Sequence, residues 1–146
     1  MNNKPFTIEE FEYIYSRVPR LTVEVVIKTD SGVVLSKRSI PPWIGQWHIP
    51  GGTVLYKEEL EKATQRIAMD ELGVSVDVER FLGFLYYPTE EKERGYGWSI
   101  GAAFLCKIVG GKLRGSEQGE DVRVFKDLPE NTVVEQKEFL EEKLLN

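Results

Sequence analysis

Residues 51–74 read GGTVLYKEELEKATQRIAMDELGV. Pro50-Gly51-Gly52 is a loop signal. From about Glu58 to Leu72 the chain lacks Gly and Pro, and it reaches Gly73, a good helix stop. At about 100° per residue, Leu60, Thr64, Ile67, Ala68 and Leu72 share one face, so this helix is expected to pack on a core. Glu71 falls within that apolar face, four residues from Ile67. A carboxylate there is costly to bury unless something matches its charge. Two partners could do so: Arg66, five residues away and well round the helix, or a hard divalent cation held by oxygen ligands. Read without those partners, the segment is an ordinary amphipathic helix with one Glu near its exposed end.

The spacing resembles the Nudix box, in which Gly, five residues, Glu, seven residues, Arg-Glu, an aliphatic, any residue, Glu-Glu, any residue, Gly and an aliphatic follow in order. The matching positions are Gly52, Glu58, Arg66, Ala68, Asp70 (a Glu in the family), Glu71, Gly73 and Val74. One position departs: the Glu that follows the box Arg is Ile67. The resemblance implies an α/β protein, a Nudix-type α/β/α sandwich with a mixed β-sheet, acting as a hydrolase.

Beyond the box, the pattern is similar to the GDP-mannose mannosyl hydrolases, which also carry an aliphatic residue after the box Arg. The likeness takes in Lys37-Arg38, Gly45-Gln46-Trp47, Pro50-Gly51-Gly52, Ala63, Met69 and Glu117-Gln118 ahead of Asp121 and Arg123. It implies a divalent cation, Mg²⁺ or Mn²⁺, held by the carbonyl of Gly51, by Glu71 and by Gln118, with the retained box carboxylates Glu58 and Asp70 as further metal candidates. It implies that Arg38 assists the diphosphate leaving group, and that water attacks the anomeric carbon of a nucleotide sugar. Glu24 stands where that family has Asp, and Thr53 where it has a second Arg; both are candidate substrate contacts. The family's His after the metal-binding Gln is Gly119 here, and a Tyr near Gly101 is absent. Without that His, Glu120, Glu117 or Asp121 would serve as base by reach in the same loop, or else Glu58 or Asp70. The resemblance also implies a homodimer.

The remaining chain sets bounds. Its 146 residues suit a single domain over 1–146, with 41% hydrophobic and 29% charged residues, ordinary for a globular protein. The net charge is −5 and no basic run exceeds a dipeptide, which argues against a nucleic-acid-binding surface. An acidic protein handling a diphosphate needs cations to bridge like charges. The N-terminus lacks the apolar core of a signal peptide and no segment approaches membrane-spanning length, so a cytoplasmic protein without membrane contact is expected.

Thr7 with Glu10 is a capping-box signal for a short first helix. Strands are expected over Leu21 to Lys28, Val33 to Lys37, Trp47 to Ile49, Val74 to Tyr87 (one or two strands), Trp98 to Val109 and Val122 to Phe125, and a last helix over Val133 to Leu145. Pro88 to Gly97 is charged and turn-rich, and reads as a mobile loop. His48, the only histidine, and Cys106, the only cysteine, read as packing residues. Trp43, Trp47 and Trp98 read as core or loop anchors, with Trp98 or Tyr86 able to stack on a base. Three functions stay open: a nucleotide-sugar hydrolase, a pyrophosphatase splitting the phosphoanhydride of an NDP-sugar, ADP-ribose or other nucleotide, and a non-catalytic ligand-binding module.

Overall fold

A computed structural model describes residues 4–116, 119 and 121–145. The elements run α1 (Ile8–Tyr15), β1 (Arg20–Thr29), β2 (Gly32–Lys37), β3 (Trp47–His48), β4 (Gly51–Thr53), α2 (Leu60–Leu72), β5 (Val74–Tyr86), α3 (Glu90–Arg94), β6 (Ser99–Gly111), β7 (Val122–Phe125) and α4 (Val134–Lys143).

Strand β1 organises the sheet. Its first part pairs antiparallel with β4, Glu24 opposite Gly51, and along its length it runs parallel to β6. Its far end turns back into β2, Lys28 opposite Val33. β6 then pairs antiparallel with β5, while β2 carries β3 and β7. One parallel pairing among antiparallel ones makes the sheet mixed, as expected. Alternate side chains of β1 serve opposite faces. Val23, Val25 and Ile27 join Ala63, Ile67, Ala68 and Leu72 of α2, whereas Val26 joins Leu35, Ile49, Leu82, Phe139 and Leu140 beneath α4. The outcome is the α/β/α layering that the box implied.

Helix α2 ends at Gly73 in the left-handed region (φ 72°), whose N–H reaches the carbonyls of Ala68 and Met69. It begins at Leu60 rather than near Glu58, because Glu58 closes the preceding turn: its N–H donates to the Leu55 carbonyl and its carboxylate accepts the Leu55 N–H. The capping box of Thr7 and Glu10 is present at α1. Val74 to Tyr86 forms one strand, with three register shifts against β6.

The expectation of a mobile loop over Pro88 to Gly97 is corrected. The segment contains α3, and buried Glu90 roots it by accepting the Ser99 N–H at 3.0 Å and pairing with Arg94 at 3.3 Å. Glu135 of α4 holds Thr89 through its N–H at 2.9 Å and its hydroxyl. Ser99 and Glu135 lie outside the segment, so its local composition carried no sign of them.

Candidate active site

Arg66 is the centre of the box. Its Nε and Nη2 donate to the two oxygens of Glu58 at 2.8 and 2.9 Å, and Nη2 also donates to the Thr53 carbonyl at 2.9 Å. Asp70, one turn on, lies 3.8 Å from Nη1. The fork therefore ties β4, the following turn and α2 together, and its bond to Glu58 holds that carboxyl below its ordinary pKa. Both Glu58 and Asp70 are engaged by Arg66 here. The same geometry removes Arg66 as the ion-pair partner considered for Glu71.

Glu71 is half-buried and accepts a hydrogen bond from the Ser116 hydroxyl. Burial raises its pKa, and the neighbouring charge of Asp70 adds to the rise, against Ser116, Arg38 and Lys4. A carboxylate whose ionised form is disfavoured by desolvation and by a second carboxylate suits a divalent cation. Glu71 supplies one anionic oxygen donor of this kind near the end of α2. Among the described residues no group of three or more His, Cys, Asp or Glu side chains gathers for a metal. Gln118 and Glu120, expected as ligand and base, lie outside the described residues, as does Glu117.

Ile67 is buried, and a Cβ added to Gly52 would overlap its Cδ1. The residue that departs from the box thus belongs to the core. Gly119 is crowded too: an added Cβ would overlap the Ser36 hydroxyl and come within 2.9 Å of the Lys37 carbonyl.

On the α4 side of the sheet, Glu24 is buried between Gly51 and Gly101, where a Cβ at either position would meet its carboxylate. Its Oε1 accepts from the Tyr87 hydroxyl at 2.9 Å and the Thr22 hydroxyl at 3.0 Å. Desolvation pushes its pKa up to about 7 despite these donors and the nearby Arg20 and Arg38. Thr53, the other candidate substrate contact, accepts from Arg20 Nη1 at 2.8 Å.

Arg38 donates to the carbonyls of Pro41 and Pro42. Burial, together with like-charge repulsion from Arg94 and Arg20, lowers its pKa to about 10 against the opposing pull of Glu24 and Glu71. Three guanidiniums therefore share one electrostatic neighbourhood with Glu24 and Glu90, an arrangement suited to a diphosphate. Arg20 also reaches the Ser99 hydroxyl at 3.2 Å and lies 3.6 Å from Glu90. Arg94 Nε is buried with no hydrogen-bond partner among the described residues. Arg20, Arg94, Glu90 and Tyr87 were missed in the sequence. Glu24, a charge in an apolar strand, was the available signal for Tyr87; nothing local marked Arg94.

His48 and Cys106 are packing residues, as read. The His48 ring nitrogen lies 2.7 Å from the Ser36 carbonyl, and burial lowers its pKa to about 3. Cys106 is buried with its thiol pushed up to about 12. Trp47 is in the core, and Trp43 donates to the Thr89 hydroxyl at 3.0 Å. Trp98 and Tyr86 are half exposed, their rings 6.0 Å apart. Trp98, Tyr15, Pro19 and Pro88 line a cavity of 310 Å³. No described helix is long and apolar enough to cross a membrane.

The NUDIX domain model matches residues 18–142, and the chain belongs to the Nudix family. It is an enzyme of that family, a Nudix hydrolase. It is 41% identical over 123 residues to the low-salt glycan biosynthesis protein Agl8 of Haloferax volcanii, covering 80% of this chain and 77% of that protein. It is 30% identical over 107 residues to an ADP-ribose pyrophosphatase of Methanocaldococcus jannaschii, covering 73% of this chain and 62% of that one. Among solved structures, a MutT Nudix hydrolase from Burkholderia pseudomallei superposes with a TM-score of 0.75 at 26% identity, over 88% of this chain and 99% of that chain.

Proposed function

We propose that the protein hydrolyses a nucleoside diphosphate sugar of the GDP-mannose type to nucleoside diphosphate and free sugar, with Mg²⁺ or Mn²⁺. The observation that carries this reading is the burial of Ile67 against Gly52. A box carboxylate at that position could ligate metal and direct water at phosphorus; an isoleucine sealed in the core can do neither. Attack at the anomeric carbon depends less on that position. The similarity to a glycan biosynthesis protein supports a sugar nucleotide.

Glu71, the Gly51 carbonyl and Gln118 would hold the cation, which when bound offsets charge on the departing diphosphate. Arg38, with Arg20 and Arg94 near it, contributes positive charge on the same diphosphate. Glu24, fixed through Oε1, offers its other oxygen to the sugar. The cavity beside Trp98 offers an aromatic wall to the base. The base that activates water is assigned to the loop of residues 117–121, with Glu120 the candidate.

A pyrophosphatase is the second reading. It is favoured by the retention of Glu58, Asp70 and Glu71 and by the likeness to an ADP-ribose pyrophosphatase. Hydrolysis in ¹⁸O-labelled water, followed by mass spectrometry of the products, separates the two. Label in the free sugar supports attack on carbon; label in nucleoside monophosphate or sugar phosphate assigns the pyrophosphatase.

A further inference from the structure

Tyr87 and Gln136 belong to no motif of the sequence, yet both are buried and both reach the site. Gln136, on α4, donates from Nε2 to the Tyr87 hydroxyl oxygen at 3.0 Å and accepts the Ile49 N–H through Oε1 at 2.6 Å. The amide orientation is set by these two partners, because Ile49 N–H needs an acceptor. With its oxygen receiving the amide N–H, the Tyr87 hydroxyl directs its own proton to Glu24 Oε1 at 2.9 Å. Ile49 leads directly into Pro50, whose carbonyl accepts the Val25 N–H at 2.8 Å, and on to Gly51. One amide on α4 thereby fixes both the hydroxyl that holds Glu24 and the main chain opposite it.

Thr22 adds a second donor to Oε1 at 3.0 Å, whereas Oε2 receives no hydrogen bond from a described residue. That second oxygen faces Gly51, where an added Cβ would overlap it. We infer that Tyr87 is a positioning residue: anchored by Gln136, it clamps one oxygen of Glu24 so that the other is presented beside Gly51 to a hydroxyl of the sugar. The inference rests on the nucleotide-sugar reading. It makes α4, which supplies no residue to the Nudix box, part of the site's alignment.

Tyr87→Phe removes only the hydroxyl. With GDP-mannose and Mg²⁺ as the probe, kcat/KM is expected to fall about tenfold in Tyr87→Phe, equivalent to about 1.4 kcal/mol. Glu24→Gln should fall by at least as much, and the double variant no further than Glu24→Gln alone. Fully additive losses would mean that Tyr87 acts on the fold and not through Glu24, and would overturn the inference. A crystal structure of Tyr87→Phe gives a readout without turnover. A Glu24 carboxylate turned away from its wild-type rotamer supports the clamp, and an unchanged one overturns it. If wild-type protein hydrolyses no GDP-mannose, the functional reading suffers, while the crystal structure still decides the clamp.

Discussion

Ile67 closes against Gly52: its Cδ1 occupies the space that a Cβ on the glycine would need. Ile67→Glu would place a carboxylate in this dry, apolar contact beside Gly52. We expect a loss of stability of about 2–4 kcal/mol and no gain in phosphoanhydride cleavage. Urea unfolding and product analysis check both. A large gain in cleavage at phosphorus would point to a pyrophosphatase that had lost one ligand.

Glu71→Gln should lower turnover by about a hundredfold or more while leaving thermal unfolding close to wild type, because one charge is removed from the cation's expected ligand. Its present partner is a serine hydroxyl, which an amide can also accept from. Steady-state kinetics at saturating Mg²⁺ are the check, and near-wild-type turnover there would remove Glu71 from the metal site.

Gly119→His tests whether a base can be restored by substitution alone. An added Cβ meets the Ser36 hydroxyl and approaches the Lys37 carbonyl, so the end of β2 must shift. Turnover should not rise, and the melting temperature should fall in both Gly119→His and Gly119→Ala. Rate enhancement in the His variant with unchanged melting would show that the loop has room for it.

Glu24 makes stability depend on pH. Its folded pKa of about 7 lies above the ordinary 4.5, so folding favours the protonated carboxyl. That contribution is complete below about pH 4.5 and is lost as pH rises through about 7, amounting to about 3 kcal/mol at most. Metal-free wild type should therefore lose stability relative to Glu24→Gln between those values in chemical unfolding. Parallel curves for the two proteins across this window would remove Glu24 as the source.

Arg66→Lys should cost about 1–3 kcal/mol, because an ammonium cannot reproduce the fork that engages both oxygens of Glu58 and the Thr53 carbonyl. Thermal and urea unfolding give the cost directly.

The sequence by itself determined the family, the layered α/β architecture and the helix that carries Glu71. Those signals are local: a glycine pair, an apolar stripe of helical period and a stop at Gly73 can each be read within one segment. Position 67 was equally legible as a missing carboxylate, but its packing on Gly52 was not. Only the tertiary structure decided that Arg66 belongs to Glu58 and Asp70, that Pro88 to Gly97 contains a rooted helix, and that Tyr87 and Gln136 hold Glu24. Most of these contacts join separate elements: Arg66 of α2 to Glu58 in the turn before it, Tyr87 at β5's end to Gln136 on α4, and Glu90 of α3 to the Ser99 N–H of β6. Periodicity reports which face of an element is buried; it carries no record of which buried polar group on another element will satisfy it.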